Sequence, residues 1–383
     1  MASAIPQGRL SEVVRAARAR TGVPAVAAGL VVRGEAELAA DGPVDVATPF
    51  RVASITKWFT ASLAALVLDL DEPLAGGASP RSLLSHTAGL RPESAEPLPG
   101  ECRGLWSYSN AGYWVVGEAC TEAAGLPFSE AMRLRLLAPL GLEATGFEQP
   151  PAAAEGHLQA GETGHRPAGA LAYPVSRRPS GGLWSTVSDL LRFAAHQLGR
   201  SGPLSRGQLD ALREPRAEAL GGRYCLGCWR RELEGGRLAF DHEGSVGGYQ
   251  SLFLLVPEEE AALVVLTNSW RGSGLIRHVV GELGLTPAST GPSQAETHPP
   301  QPGRYALGGS EALIETHRGL TRVSESEQDP LSGERVESPP YRLEPLGRGI
   351  YGYAGGLLMS HRADFPRPGV ARLGWVALPR ARS

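Results

Sequence analysis

Phe50-Arg51-Val52-Ala53-Ser54-Ile55-Thr56-Lys57 carries the only lysine of a 383-residue chain. Lysine and arginine together number 37, so every other basic side chain is an arginine. Arginine supplies charge and grip but cannot lose its proton in a protein, whereas a partly desolvated amine can and then acts as a base. Drift from lysine to arginine accounts for the scarcity of lysine, but not for the survivor standing three residues after a serine. The stretch 56–70 that follows is apolar on most faces and free of glycine and proline, which predicts a buried helix beginning near Ser54. In that helix Lys57 lies one turn along on the face of Ser54, so amine and hydroxyl are neighbours. A serine hydroxyl is a poor nucleophile until a base takes its proton. The helix N-terminus adds N–H groups and partial positive charge, which favour an oxyanion and depress a nearby ammonium.

Outward from this stretch, 11–20 has a helical period, and 25–32 and 35–40 read as strands around Gly34. From 73 to about 199, loops rich in glycine and proline alternate with helices, clearest at 111–124, 127–137 and 187–198. After Gly221 the pattern turns to strands at 224–233, 237–243, 249–256 and 261–267, separated by turns at 234–236, 244–248 and 257–260. These predict a meander of antiparallel hairpins closed by a helix at 273–283. Strands at both ends with helices between them predict an α/β fold of the α+β type. One antiparallel sheet, built from 1–50 and 221–285 and flanked by helices, would carry a helical lobe inserted at about 73–199, forming a domain over 1–285. Residues 286–303 read as a linker. Over 304–383, short alternating segments with Tyr341, Tyr351, Tyr353 and Trp375 predict a small, barrel-like β domain.

Composition narrows the function classes. Apolar content of 42%, charged content of 20% and a net charge of -3 describe an ordinary globular protein, with no nucleic-acid or anionic-membrane partner implied. The longest apolar runs are too short to span a bilayer, and no secretory signal opens the sequence, so a cytoplasmic location is expected. Cys102, Cys120, Cys225 and Cys228 read as buried or half-buried thiols. For the Cys225-Leu-Gly-Cys228 pair, a strand over 224–233 would send the two side chains to opposite faces. Histidines lack metal-ligand spacing, and no metal or cofactor is expected.

Two further motifs accompany Ser54 and Lys57. Tyr108-Ser109-Asn110 lies in a glycine- and serine-rich loop before the helix at 111. A tyrosine beside an ammonium can be held as phenolate and serve as base, and an asparagine amide both donates and accepts. Taken alone, the triplet reads better as a turn with an N-capping asparagine. His242-Glu243-Gly244-Ser245 closes a predicted strand, with His242 and Gly244 on one face and Glu243 on the other. Glycine there permits close approach of ligand to backbone.

Together with Leu83-Leu-Ser-His-Thr-Ala-Gly-Leu90 and Gly181-Gly-Leu-Trp-Ser-Thr186, these motifs stand in an order that resembles the class C β-lactamase-like serine hydrolases. That group includes D-Ala-D-Ala carboxypeptidases, D-aminopeptidases and β-lactamase-fold esterases, and the likeness spans roughly 11–285. The resemblance implies Ser54 as acylated nucleophile, with Lys57 and Tyr108 sharing its proton and passing it to the leaving group. It also implies Asn110 as a substrate contact, and an oxyanion hole from the backbone N–H groups of Ser54 and Ser245. His242 and Gly244 replace a Lys-Thr-Gly motif. A neutral imidazole anchors a substrate carboxylate less well than lysine, which leaves aminopeptidase or esterase chemistry more open than β-lactamase or carboxypeptidase chemistry. The stretch from Leu68 to His86 is shorter than in the group, and His86 is expected to mark a structural turn. The implied partner is a small amide or ester substrate. A protein that keeps the fold for reversible ligand binding or sensing is the alternative.

Overall fold

The computed structural model describes all residues except 1–3, 162–163, 170, 221, 289–297, 318–319, 329–334, 338–339, 348–349, 353–361, 374–375 and 382–383. Its centre is an eight-stranded sheet. The strands are β1 (Val26–Val32), β2 (Glu35–Asp41), β3 (Ala217–Ala219), β4 (Gly222–Tyr224), β5 (Trp229–Glu232), β6 (Leu238–Val246), β7 (Tyr249–Val256) and β8 (Ala261–Thr267). They lie in the order β2-β1-β8-β7-β6-β5-β4-β3, and every neighbouring pair is antiparallel. Strand β1 pairs with β8 from Val26 opposite Thr267 to Val32 opposite Ala261, so both ends of the domain meet inside one sheet, as the sequence predicts.

Alternation along the strands gives the sheet two buried faces. Val26, Ala28, Leu30, Leu252, Leu254 and Val265 pack beneath α1 (Leu10–Thr21) and the C-terminal helix of the domain, Gly272–Glu282. Helix α1 brings Leu10, Val13, Val14 and Ala17 to that face and leaves its arginines outside, then stops at Gly22, whose φ of +67° only glycine adopts at no cost. Ala27, Phe253, Leu255, Val264 and Leu266 face the helical lobe. There α2 (Thr56–Val67) is buried along its first nine residues, which suits its nearly uniform apolarity. Phe59 of α2 stacks on Phe193 at 3.8 Å between centroids, each ring contributing roughly 1.5–3 kcal/mol by leaving water.

Three expectations are corrected. The strand predicted over 224–233 is broken into β4 and β5 by a turn in which the Cys225 N–H donates to the Cys228 carbonyl at 2.8 Å. Helix α2 lies against the break: a Cβ at Gly227, where φ is +82°, would lie 2.8 Å from the Lys57 carbonyl. Cys225 and Cys228 therefore sit on a turn rather than on opposite faces of a strand, and all four cysteines are buried free thiols. The expected connector at 244–248 shrinks to Gly247-Gly248, with φ of +51° and +82°, while β6 runs on through Gly244 and Ser245 opposite Ser251 and Gln250. Finally, the helix expected over 127–137 is regular only at Phe128–Met132, then widens over Arg133–Leu137.

The linker expected at 286–303 falls largely on 289–297, outside the described residues. The small C-terminal β domain has two five-stranded sheets. The second sheet includes Arg362–Arg367, Val370–Leu373 and Val376–Pro379. A bridge between Tyr305 and Arg380 joins the sheets at one corner, and among the described residues they do not close into a barrel. Tyr353 and Trp375 lie outside the described residues. No helix among the described residues is long and apolar enough to cross a membrane.

Candidate active site

The site forms where the sheet meets the helical lobe. Strand β5 pairs with β6 only from Leu238 to Asp241, so from His242 onward that edge of β6 is left to the turn carrying Ser54. Ser251 Oγ donates to the Val52 carbonyl at 3.0 Å, and the Val52 N–H donates to the Leu183 carbonyl at 3.0 Å, fixing the turn to the sheet and to the lobe. Ser54 lies in a tight 3₁₀ turn, Ala53–Ile55, immediately before α2 rather than on its first turn. Ala53 adopts a φ of +48°, a conformation that costs a side chain of this kind on the order of 1–3 kcal/mol and that gathers at functional sites. Gly244 completes the junction: a Cβ there would meet the Val52 carbonyl at 2.3 Å and Ala53 Cβ at 3.1 Å.

Lys57 is fully buried, with Nζ 3.2 Å from Ser54 Oγ. The same nitrogen donates to the Ser180 carbonyl, which arrives on the short helix Arg178–Gly181. The ring of Tyr108 lies 4.8 Å from Nζ and that of Tyr113 5.3 Å. Burial drives the Lys57 amine well below the ordinary lysine range, with Glu93 opposing. Burial likewise pushes the Tyr108 phenol well above its usual value, while a hydrogen bond with the Ser54 side chain pulls it down. Burial thus disfavours the charged form of both the amine and the phenol that flank the serine, which weighs against holding Tyr108 as a phenolate. Desolvation makes a phenolate in this enclosure the costlier species.

Residues 106–109 belong to no helix or strand, and Ser109 is in the extended region. His86 has a φ of +60° and its Nδ1 accepts from the Ser109 N–H at 3.1 Å, while its ring packs 4.2 Å from that of Tyr108. Burial first, then the Lys57 and His242 charges, push His86 well below the normal imidazole range. It therefore stays neutral and acts as a strut for the Tyr108 segment. Asn110 is not the helix cap: Ser109 caps, its Oγ accepting from the Gly112 N–H at 3.2 Å, and Asn110 opens the helix Asn110–Ala124. Asn110 Nδ2 is held by Glu93 Oε1, and burial raises the Glu93 carboxyl.

On β6, His242 is fully buried. Its Nδ1 faces the Glu243 carbonyl, which can only accept, so Nδ1 carries the proton and Nε2 accepts from the Tyr224 hydroxyl at 3.2 Å. Burial, then Lys57, lowers His242 to about 3, so the ring is neutral at any working pH. Glu243 points to the other face, where Arg231 lies 3.8 Å away, in agreement with the sequence reading. Ser245 is exposed at the end of the strand. Ser54, Lys57, Tyr108 and Gly244 are thus gathered around one turn, with Asn110 tied to the rim by Glu93.

Ser180, Tyr173, Tyr113, Tyr224 and Glu93 were not singled out by sequence. Gly181 was the available signal for the first two: a Cβ there would stand 2.6 Å from the Tyr173 hydroxyl. No triad of potential metal ligands occurs among the described residues.

Comparison with known proteins bears on the fold. A β-lactamase of Providencia stuartii is 23% identical over 348 residues, covering 70% of this chain and 88% of that protein. The solved structure of SurE superposes with a TM-score of 0.73 at 24% identity, over 97% of this chain and 98% of its own, and SurE has also been solved with D-Leu. The D-amino acid amidase of Ochrobactrum anthropi SV3 gives a TM-score of 0.62 at 25% identity, over 71% of this chain and 96% of its own. The profile of one family, described as Beta-lactamase, matches residues 10–279. That span, enclosing the whole sheet and the Ser54 turn, places the chain in the Beta-lactamase family.

Proposed function

We propose that the protein is a serine hydrolase that works through an acyl-enzyme on a small amide or ester, with Ser54 as nucleophile. The observation that carries this reading is the 3.2 Å approach of a fully buried amine, Lys57 Nζ, to Ser54 Oγ. Lys57, whose charged form burial disfavours, takes the serine proton as a neutral amine while Oγ attacks the acyl carbon. Tyr108, a neutral phenol on the same side, delivers a proton to the departing amine or alcohol and is reprotonated from Lys57. Water then attacks the acyl-enzyme by the reverse relay. The Ser54 and Ser245 backbone N–H groups form the oxyanion hole, which suits the free edge of β6 facing the serine turn. Asn110 orients the substrate.

The third motif selects the substrate class. A neutral, enclosed His242 offers no positive charge to a substrate carboxylate, which favours uncharged acyl donors such as aminoacyl amides and esters over peptides ending in a free carboxylate. A D-configured acyl group is favoured by the solved likenesses, one with D-Leu and one named as a D-amino acid amidase. Treatment with a fluorophosphonate or a penicillin should add mass to the wild type and none to Ser54→Ala. D-aminoacyl anilides should turn over faster than their L-counterparts. No adduct, together with no turnover of activated p-nitrophenyl esters, refutes the reading. Saturable binding unaffected by Lys57→Arg would instead support a ligand sensor.

A further inference from the structure

The segment bearing Tyr108 is held from two sides. From its own domain, Trp106 Nε1 donates to the Ser85 carbonyl at 3.1 Å, the Ser109 N–H to His86, and the Asn110 N–H to the Pro92 carbonyl at 2.7 Å. From the C-terminal domain, Arg372 Nη1 donates to the Trp106 carbonyl at 3.1 Å, and the Ala377 N–H donates to Ser107 Oγ at 3.2 Å. Arg372 is itself fixed, because its Nε and Nη2 grip both carboxylate oxygens of Asp364 at 2.7 and 2.6 Å. The two side chains are only 3% and 2% exposed. The loop leading into the segment is sunk in the same domain, with Leu98 and Cys102 buried among Tyr305, Phe365, Leu373 and Ala377.

Ser107 turns to the C-terminal domain, and Tyr108 turns to Ser54. A fully buried ion pair is a poor way to gain stability, since desolvation offsets most of the attraction. A forked arginine–carboxylate pair is, however, a rigid and directional one. Here its remaining nitrogen is spent on the backbone two residues before the phenol.

We propose that the C-terminal β domain is a positioning element of the acylation site. The Asp364–Arg372 pair and the Ala377–Ser107 hydrogen bond fix the backbone of 106–108 so that Tyr108 stands against Ser54. This rests on the Ser54 reading above. The domain is then neither a detached module nor a lid, and the groups that act through Tyr108 are positioning residues rather than catalytic ones.

The test uses the full chain with the pair replaced by apolar side chains, Asp364→Leu with Arg372→Met, and separately Ser107→Ala, each checked for cooperative melting. Acylation by a fluorophosphonate in the pair variant is expected to slow by about 100-fold, the scale of a misplacement of about 1 Å, with little change in the concentration needed for half-saturation. Ser107→Ala shifts the rate the same way by less, and serves alone if the pair variant does not fold. Tyr108→Phe added to the pair variant should cost much less than it costs in the wild type, because the phenol is already out of place. A folded variant acylated as fast as wild type, or losses that simply add to that of Tyr108→Phe, overturns the proposal. If the wild type itself forms no adduct, the Ser54 reading fails. Hydrogen exchange at the Ser109 amide then decides separately: faster exchange in the pair variant supports the brace, and unchanged protection overturns it.

Discussion

On one side of strand β6 lies Lys57, and on the other lies Arg231; both are buried cations, and their surroundings differ in kind. Arg231 is gripped by Asp241, with Glu243 at 3.8 Å. Burial alone would lower its pKa, but these two carboxylates more than offset that and raise it. Lys57 touches only a hydroxyl and a carbonyl, no carboxylate among the described residues pairs with it, and burial drives it toward the neutral amine. The strand's own alternation makes the division: Asp241 and Glu243 turn toward Arg231, His242 and Gly244 toward the serine. A buried cation given an acid is held charged as structure, whereas one denied an acid becomes a base.

The strongest way to break this comparison is Lys57→Arg, which puts a permanent charge in place of the titratable amine and so removes the proton acceptor. Acylation is expected to fall by about 10³-fold, measured by rate of adduct formation, with Lys57→Met as the uncharged control that should fail equally. A base elsewhere would leave the arginine variant active. On the opposite face, Asp241→Asn leaves Arg231 without its main partner and is expected to cost roughly 3 kcal/mol of stability in denaturant titration. Folded molecules should still acylate, and replacing the pair together, Arg231→Met with Asp241→Leu, should restore most of the loss. Between the two faces, Gly244→Ala pushes a methyl to 2.3 Å from the Val52 carbonyl. It should cost about 1–3 kcal/mol and slow acylation as well, since the atom it displaces belongs to the serine turn.

The most gradual effect is in pH. His242 falls from 6.5 to about 3 on folding, so below 6.5 the unfolded chain binds a proton that the folded one refuses. Stability should therefore decline as pH drops from 6.5 toward about 3, by about 1 kcal/mol over the first unit. His242→Gln should flatten that decline in part, His86 being depressed in the same direction. Activity should fall on the acid side too, as Lys57 regains its proton below its depressed pKa. A stability profile indifferent to the His242 substitution would show the ring to be hydrated.

Much of the sheet was legible because its strands alternate or run apolar between glycine-bearing turns, and β1, β2, β7 and β8 fall close to where pattern places them. The break at Cys225–Cys228 was not, since nothing in the local pattern shows that the backbone of α2 lies against Gly227. Gly244 misled in the opposite sense. It reads as turn chemistry, yet it is a strand residue that must lack a side chain to pass the Ser54 turn. In the site, Ser54, Lys57, Tyr108 and Gly244 could be named because each is a distinctive residue type in a short motif. Ser180 and Trp106 act through backbone carbonyls, to which sequence is blind.

By itself the sequence determined which groups are available: one lysine one turn from one serine, a tyrosine triplet, a glycine at the end of a strand, and two sets of strands able to share a sheet. Local spacing is enough for these, because helix and strand periods fix which neighbours share a face. Only the tertiary structure decided their state. Whether the lysine is charged, whether the phenol keeps its proton and what holds it in place depend on enclosure by distant segments, among them Ser180 and the Asp364–Arg372 pair. Desolvation and hydrogen bonding act through space, and the Ser180 carbonyl on Lys57 and the Arg372 side chain on Trp106 each come from more than a hundred residues away.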